Sequence, residues 1–230
     1  MILDNLLTWS YEKLIDYSKK RTRAGLYDFL RRVINQYEIS QKEEIINVGA
    51  GGAVSDLISS LGVSMRSVDN DPNRYPDIIA NIEVQMPFLN SSIDVVFLIE
   101  VLEHTQYPRK ALAEIERILK PGGIIVGSTP FILGLHDAPN DYFRFTEYGL
   151  KALLAEYKLE FIAARNNSIS CNSALLSRMF VEGSRKRCGK IVLCSPLIIS
   201  LCAILETLSK FISDSSATTG FVFVVRKKVR

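Results

Sequence analysis

Residues 45–53 read IINVGAGGA, an apolar run that ends in a glycine-rich turn and leads into a helical pattern. Gly49 and Gly51 allow the backbone to turn sharply and a ligand to approach it closely. Asp69 follows twenty residues after Gly49, at the end of the next apolar run, where an acid can bind both hydroxyls of a ribose. This order of elements predicts a nucleoside-binding site, and a tight turn without a ligand is the alternative.

The turn differs from the two common sites for phosphorylated nucleotides. Val54 occupies the third glycine position of a dinucleotide-binding motif, and no Lys-Ser or Lys-Thr pair follows the glycines. We therefore expect a nucleoside that lacks a pyrophosphate.

Short apolar runs alternate with helical stretches on both sides of this turn. Strands are predicted at residues 45–49, 65–69, 77–80, 94–99 and 124–128, with helices at 53–61 and 109–119. This alternation predicts an α/β fold, a doubly wound parallel sheet with helices on both faces. The link between Asp69 and Asp77 is too short for a crossover helix, so we expect a turn there.

The elements predicted after residue 128 complete a division of the chain into four parts. A helix at 146–157, a strand at 160–164, a helical insert at about 172–212 and a last strand at 220–228 follow the core. The predicted division is a helical cap at 1–43, a core at 44–170, a helical insert or lid at 171–213, and a final strand with a basic tail at 214–230.

Composition limits the class of protein. With 230 residues, 47% hydrophobic content and a net charge of +3, the chain is globular and not disordered. Its four cysteines form no C-x-x-C pair and show no zinc spacing, so we expect reduced, buried thiols and no metal. The chain opens without a signal-peptide pattern, which predicts a cytoplasmic protein.

The C-terminal quarter is basic and contains one long apolar run. Residues 178–230 carry ten Lys or Arg against three acids, and the run from Ile191 to Leu205 is fifteen residues long. A membrane-spanning helix needs about 18–20 apolar residues. We therefore expect the helical insert to be a lid or a homodimer interface, with a peripheral contact of residues 178–212 with the inner membrane face as the alternative.

Four blocks of the sequence resemble a known family. INVGAGG, SVDNDP, MPFLNSSIDVVFLIEVLEH and ALAEIERILKPGGIIVGSTP are similar, in this order, to class I S-adenosylmethionine-dependent methyltransferases with a methyltransferase type 11 domain. The resemblance covers about residues 44–161. It implies a Rossmann-like, seven-stranded, mostly parallel sheet with an antiparallel last strand, and S-adenosylmethionine as the cofactor.

A further block resembles a subset of this family. PFILGLHDAPNDYFRFTEYGL is similar to proteins associated with bacterial surface-polysaccharide gene clusters. This resemblance implies a small-molecule or glycan acceptor that is methylated on oxygen.

The family resemblance also implies the cofactor-binding residues. They are Asn47, Gly49, Ala50, Gly51, Asp69, Asn70, Asn81, Ile82, Ile99 and Glu100. Asn47 stands where the family usually has an acid, and positions 81 and 82 lack the acid expected there, although Glu83 is close. These departures favour, as an alternative, a methyltransferase-like binding protein without catalysis.

Methyl transfer to a hydroxyl requires a positioned acceptor and removal of its proton. His104 and His136, the two histidines of the chain, both follow predicted strand ends, the edge where such sheets bind ligands. His136 is the stronger candidate for the general base, with Asp137 either to orient it or to bind acceptor hydroxyls. His104 is either catalytic or a loop cap. Asp141, Tyr142 and Arg144 are candidates for acceptor binding, and a structural Asp141–Arg144 pair is the alternative.

Two other functions are less well supported. An N-methyltransferase acting on protein, nucleic acid or a small amine is the first, but no Asn-Pro-Pro-Tyr type tetrapeptide follows the fourth strand. The acidic body of the domain also argues against a nucleic-acid partner. The second, a nicotinamide-dependent oxidoreductase, is disfavoured by Val54.

Overall fold

The computed structural model describes the backbone of residues 2–23, 25–186, 195–211 and 214–229. Its helices are α1 (Ile2–Thr22), α2 (Leu26–Gln36), α3 (Gly52–Ser60), α4 (Pro108–Ile118), α5 (Glu147–Leu153), α6 (Ser168–Lys186) and α7 (Ser195–Ser209). Its strands are β1 (Ile45–Val48), β2 (Arg66–Asp69), β3 (Ile78–Ile79), β4 (Ile93–Ile99), β5 (Leu119–Pro130), β6 (Lys158–Ala164) and β7 (Gly220–Arg226).

The strands form one sheet in the order β3-β2-β1-β4-β5-β7-β6. β1 pairs in parallel with β2 and β4, and β4 pairs in parallel with β5. β7 lies antiparallel to β5. The predicted fold class, a mostly parallel seven-stranded sheet with an antiparallel last strand, is therefore confirmed. The order reverses between β1 and β4, and such a reversal opens a crevice at the carboxyl ends of the strands.

The central strands are apolar because both faces of the sheet are covered. Ile45, Ile46 and Val48 in β1 are at most 4% exposed, and the residues of β4 from Val95 to Leu98 are at most 1% exposed. Strands buried on both faces carry continuous apolar runs rather than alternating ones. This is the pattern that the sequence shows at 45–48 and 95–98.

β5 begins earlier than the sequence predicts. Leu119 pairs with Ile93 before a register shift, after which Val95 pairs with Ile124. The strand was predicted at 124–128. Residues 120–123, which follow the end of α4, also belong to it. The predicted turn between Asp69 and Asp77 is confirmed as a short 3-10 helix at Pro72–Arg74.

The chain divides into two compact units, residues 1–25 with 164–219 and residues 26–163 with 220–230. The first unit has its own small core, in which Leu14 of α1 packs with Ile198 and Cys202 of α7. α2 belongs instead to the core of the sheet, where Phe29 and Leu30 are buried. The division therefore differs from the predicted cap at 1–43, because the two N-terminal helices bury their apolar faces in different units.

The described cysteines, Cys171 and Cys202, are free and buried. Burial raises the pKa of the Cys171 thiol to about 11, which agrees with the expected unreactive thiols. Cys188 and Cys194 lie outside the described residues. No helix among the described residues combines the length and the apolar composition needed to cross a bilayer.

Gly127 gives a test of the β5–β7 packing. It lies directly opposite Phe223, and a Cβ atom at position 127 would overlap the Phe223 ring, which is fully buried. We expect Gly127→Ala to lower the free energy of unfolding by about 1–3 kcal/mol, the usual range for overpacking. Urea denaturation would measure this change.

A double variant provides the matched control. Because Phe223→Leu removes the overlapping ring atoms, the Gly127→Ala/Phe223→Leu protein should lose less stability than the sum of the two single variants. Strictly additive losses would contradict the packing described here.

Candidate functional site

A cleft of about 450 Å³ opens at the carboxyl ends of β1, β2 and β4, next to the reversal of the strand order. Volumes of this size are typical of small-molecule sites. The cleft is lined by Val48, Gly49, Val68, Asp69, Asn70, Asp71, Arg74, Ala80, Asn81, Ile82, Glu83, Glu100, Val101, His104, Thr105, Gln106, Asp137, Asn140 and Tyr142.

The glycine turn after β1 depends on positive backbone angles. Gly49 has φ +92° and Gly51 has φ +76°, values that side-chain-bearing residues rarely adopt. A Cβ atom at Gly49 would also lie 3.2 Å from Cγ2 of Val101 on the cleft wall. Both glycines are therefore required by the turn, and Gly49 also by the close approach of Val101.

The side chain of Asn47 stabilises this turn by hydrogen bonds. It is buried, and its amide nitrogen donates to the Gly49 carbonyl (2.9 Å) and to Oγ of Ser55 (3.0 Å). Because a carbonyl oxygen only accepts hydrogen bonds, the nitrogen of the amide must face Gly49. Asn47, which stands where the family usually has an acid, is therefore a hydrogen-bond donor to the turn.

Asp69 lies at the end of β2 with its carboxylate held by two backbone groups. Oδ2 accepts the N–H of Ala50 at 2.8 Å, and Oδ1 accepts the N–H of Asp71 at 2.9 Å. The Asp69 side chain is only 9% exposed. The carboxylate is therefore fixed in orientation, and each oxygen keeps a further lone pair for a ligand hydroxyl.

The structure brings together part of the predicted cofactor set. Six of those residues line the cleft: Gly49, Asp69, Asn70, Asn81, Ile82 and Glu100. Asn47, Ala50, Gly51 and Ile99 are not among the lining residues. Asn47 and Ala50 contribute indirectly. Asn47 donates to the Gly49 carbonyl in the turn, and the N–H of Ala50 donates to the Asp69 carboxylate.

The cleft is strongly acidic. Its lining contains five carboxylates, on Asp69, Asp71, Glu83, Glu100 and Asp137, and one arginine, Arg74. Glu83 is fixed because its Oε1 accepts the N–H of Tyr107 at 2.5 Å, at the start of α4. A low-dielectric cleft with this balance attracts cations and repels phosphates.

His104 lies on the rim with a defined tautomer. Its Nδ1 is 2.6 Å from the carbonyl oxygen of Asn140, which can only accept, so Nδ1 carries the proton. Nε2 then keeps its lone pair, 3.8 Å from Oε1 of Glu103. The rings of His104 and His136 meet edge to face with centroids 4.9 Å apart. The two predicted catalytic histidines are therefore neighbours, although His136 does not line the cleft.

The loop that carries His136 is organised by Asp141. Asp141 accepts two hydrogen bonds from Arg144, at 2.6 and 2.7 Å, and one from the backbone N–H of His136 at 2.9 Å. Its side chain is 2% exposed. The Asp141–Arg144 pair thus holds the loop, as in the structural alternative, and neither residue lines the cleft. Asp141, and not Asp137 as predicted, contacts His136.

Two pKa shifts follow from this arrangement. The hydrogen bonds from Arg144 hold the pKa of Asp141 well below its usual range. Burial lowers the pKa of His136, and the nearby Asp141 opposes this only in part. Burial therefore favours the neutral imidazole of His136 over its charged form.

Sequence reasoning missed several lining residues. Asp71, Arg74, Gln106 and Asn140 all face the cleft. Gln106 donates to the Tyr142 hydroxyl at 2.9 Å, which in turn donates to Oδ1 of Asn140 at 3.1 Å. Asp71 could have been predicted from the sequence because it lies two residues after Asp69. Arg74, Gln106 and Asn140 reach the cleft only through tertiary contacts.

A family model and several curated proteins match part of the core. Residues 47–127 match the model of the methyltransferase domain family. The mitochondrial ubiquinone biosynthesis O-methyltransferase of Schizosaccharomyces pombe is 27% identical over 118 residues, which cover 44% of this chain and 43% of that protein. The demethylmenaquinone methyltransferase of Renibacterium salmoninarum is 31% identical over 137 residues, 54% of this chain and 56% of that protein. The chain thus spans about half the length of these curated relatives.

Solved structures share the fold at low sequence identity. The 1,6-didemethyltoxoflavin-N1-methyltransferase of Burkholderia thailandensis, solved with S-adenosylhomocysteine, superposes with a TM-score of 0.56 and 15% identity over 99% of this chain and 88% of that chain. The [4+2]-cyclase SpnF gives a TM-score of 0.56 and 15% identity over 89% of this chain and 80% of that chain. The same fold therefore serves more than one reaction.

Asn47→Asp tests the construction of the turn. The substitution replaces the donor that faces the Gly49 carbonyl with an acceptor, at a position only 3% exposed. We expect the free energy of unfolding at pH 7 to fall by about 1–3 kcal/mol, as for a buried polar group that loses its partner.

Asn35→Asp is the matched control for urea denaturation, since it makes the same chemical change at an exposed site on α2. Its effect should stay within about 0.5 kcal/mol. An Asn47→Asp protein as stable as the wild type would show that the donor role is wrong.

Proposed function

We propose that this chain is a class I S-adenosylmethionine-dependent methyltransferase, that its cleft binds S-adenosylmethionine and that it methylates a small-molecule acceptor. The match of residues 47–127 to the methyltransferase domain model supports this proposal. The observation that carries the proposal is the fixed Asp69 carboxylate in an acidic cleft. The chemistry of the cleft residues fits this cofactor.

The cleft offers groups that can bind the ribose, the sulfonium and the ammonium of the cofactor. Asp69 presents two oriented carboxylate oxygens that can accept the two ribose hydroxyls. The positive φ of Gly49 lets the backbone approach the ligand. The excess of carboxylates suits a ligand that carries a sulfonium and an ammonium and no phosphate, whereas a dinucleotide would be repelled.

When bound, S-adenosylmethionine supplies an electrophilic methyl group, whose transfer to a hydroxyl breaks a C–S bond, forms a C–O bond and releases the hydroxyl proton. The chain has to orient the acceptor and provide for that proton. His104 lines the rim, and His136 contacts it. The histidine pair therefore marks the acceptor end of the cleft.

We extend the proposal to a sugar or other glycan acceptor methylated on oxygen in surface-polysaccharide biosynthesis. The rim presents an amide, a carboxylate, a phenol and a second amide, from Gln106, Asp137, Tyr142 and Asn140, which suit an acceptor rich in hydroxyls. Arg144 is engaged by Asp141, so no argument for an anionic acceptor rests on it. The Schizosaccharomyces pombe relative is named an O-methyltransferase, which agrees with oxygen as the acceptor atom.

Two alternatives belong to the same fold. A binding protein without catalysis is favoured by Asn47, which leaves the turn without an acid for the cofactor ammonium. Methylation of nitrogen is favoured by the acidic cleft, which attracts amines, and the Burkholderia thailandensis neighbour is named an N1-methyltransferase. Turnover with hydroxyl and amine acceptors, measured as S-adenosylhomocysteine released, separates all three.

We further propose that α7 makes a peripheral contact with a lipid surface, which would place the protein on the cytoplasmic face of the inner membrane. Its exposed apolar residues are Leu197, Leu201, Ile204 and Leu208, with Phe211 just beyond, at 73, 46, 59, 50 and 84% exposure. The spacing alternates between four and three residues, which places them on one helix face.

Basic residues that precede α7 in the sequence would add attraction to anionic lipid. Arg178, Arg185 and Lys186 belong to α6, whereas Arg187 and Lys190 lie outside the described residues. The same face could instead form a homodimer interface. A lipid contact is favoured because a lipid-linked glycan acceptor would be presented at the membrane surface.

Calorimetric titration with S-adenosylmethionine and S-adenosylhomocysteine tests the cofactor site. Asp69→Ala should cost about 1.5–3 kcal/mol, a loss of about ten- to a hundredfold in affinity. Asp56→Ala, which removes an exposed acid of α3 outside the cleft, is the control and should bind like the wild type. Absence of binding by the wild type, or equal binding by Asp69→Ala, would refute the proposed site.

Ile204→Glu tests the lipid contact. Burying an isoleucine is worth about 1.5–3 kcal/mol, so the variant should bind vesicles containing anionic phospholipid at least about tenfold more weakly. Asn172→Glu adds the same charge at an exposed position of α6 and should bind like the wild type. If the wild type binds no vesicles but Ile204→Glu converts a dimer to a monomer in light scattering, the dimer alternative is correct.

A further inference from the structure

The acceptor end of the cleft brings one carboxylate and both histidines of the chain together. The potential ligand atoms of Glu103, His104 and His136 all lie within 4.8 Å of one another. Glu103 and His104 belong to the 3-10 helix that follows β4, and His136 belongs to the loop that follows β5. No metal-binding spacing is visible in the sequence because the two histidines lie far apart along the chain.

The distances are close to those of a metal site. At the tetrahedral angle, ligand atoms at about 2.0–2.2 Å from a divalent ion lie about 3.3–3.6 Å from one another. The ligand atoms of the cluster lie within 4.8 Å of one another, so the most distant pair has to approach by about 1.2–1.5 Å when an ion binds. Side-chain rotations can supply a movement of this size.

His104 is already oriented as a ligand. Its Nδ1–H donates to the carbonyl oxygen of Asn140 at 2.6 Å, and Nε2 with its lone pair lies 3.8 Å from Oε1 of Glu103. Histidines that bind metals usually donate their other ring N–H to a carbonyl or a carboxylate in this way. The contact with Asn140 therefore fixes both the tautomer and the ring orientation.

His136 has a similar environment. Its Nδ1 lies 3.4 Å from the carbonyl oxygen of Gly134 and 3.4 Å from Oδ2 of Asp141, two groups that only accept hydrogen bonds. Nη2 of Arg144 lies on the same side, at 3.3 Å. Nδ1 thus has two acceptors and one donor around it, and one ring nitrogen of His136 lies within 4.8 Å of the ligand atoms of Glu103 and His104.

The charges of the cluster suit a cation. Glu103 is fully buried, and a dication beside it offsets the cost of removing a carboxylate from water. Arg144 would repel an ion, but Asp141 neutralises it through two hydrogen bonds of 2.6 and 2.7 Å.

From this geometry we propose that Glu103, His104 and His136 bind a divalent first-row transition-metal ion such as Zn²⁺, Fe²⁺ or Co²⁺. Two imidazoles and one carboxylate favour these ions over Mg²⁺ and Ca²⁺, which prefer oxygen ligands. Three protein ligands leave positions open, and His104 lines the cleft, so a group bound there can reach the metal.

The role of the ion in catalysis rests on the proposed function. Coordination of an acceptor hydroxyl lowers its pKa, so the proton passes to solvent. The oxygen anion then attacks the methyl carbon of the sulfonium, a C–O bond forms, and the sulfur keeps the electron pair of the broken C–S bond. In this arrangement the imidazoles serve as ligands, and neither is the proton acceptor.

Co²⁺ is the probe for the site, because its visible absorption reports the ligands. We expect metal-stripped protein to bind Co²⁺ at one site, with His136→Asn and Glu103→Gln each weakening the affinity at least about tenfold. Asp56→Asn removes an exposed carboxylate of α3 outside the cleft and is the control, whose affinity should stay within about twofold of the wild type. Circular dichroism verifies that each variant is folded.

The results separate the metal site from the proposed function. No Co²⁺ absorption in the wild type, or unchanged affinity in the folded His136→Asn protein, would overturn the metal site. Titration of the same metal-stripped protein with S-adenosylmethionine tests the cofactor proposal independently. Full methyl transfer by metal-free protein would overturn the catalytic role of the ion and leave the proposed function intact.

Discussion

The Asp69 carboxylate is the contact on which the cleft depends, because it joins the loops that follow β1 and β2. One oxygen accepts the N–H of Ala50 in the glycine turn, and the other accepts the N–H of Asp71. The parallel pairing of β1 with β2 brings these loops side by side. A single side chain therefore fixes the shape of the cleft and supplies the oxygens proposed to bind the ribose, while Asn47 holds the same turn from the buried side.

The acceptor end is built by a second set of contacts, made by the loop after β5. The Asn140 carbonyl accepts from His104, and Gln106 donates to the Tyr142 hydroxyl, so this loop closes onto the 3-10 helix after β4. The Asp141–Arg144 pair keeps the loop folded. These contacts place the two histidines against each other, and the carboxylate of Glu103 completes the group to which we assign a metal ion.

The helical unit of residues 1–25 and 164–219 has different properties. Its small core is formed by Leu14, Ile198 and Cys202, and α7 presents a second apolar face to solvent. A helix that is apolar on both faces has more apolar surface than its own unit can bury. This excess is the reason to propose a lipid surface for α7, which suits an acceptor presented at a membrane.

The sequence alone determined the sheet, the glycine turn and the position of Asp69. These features depend on local properties: buried runs such as 45–48 and 95–98, the positive φ that Gly49 requires, and a fixed spacing along the chain. Only the tertiary structure decided that Asn47 is a donor, that Asp141 and not Asp137 contacts His136, and that His104 and His136 are neighbours. It also decided that α1 packs with α6 and α7 and that β5 begins at Leu119. The physical reason is that these arrangements arise from the order of the strands and from hydrogen bonds between loops distant in sequence, which no local pattern encodes.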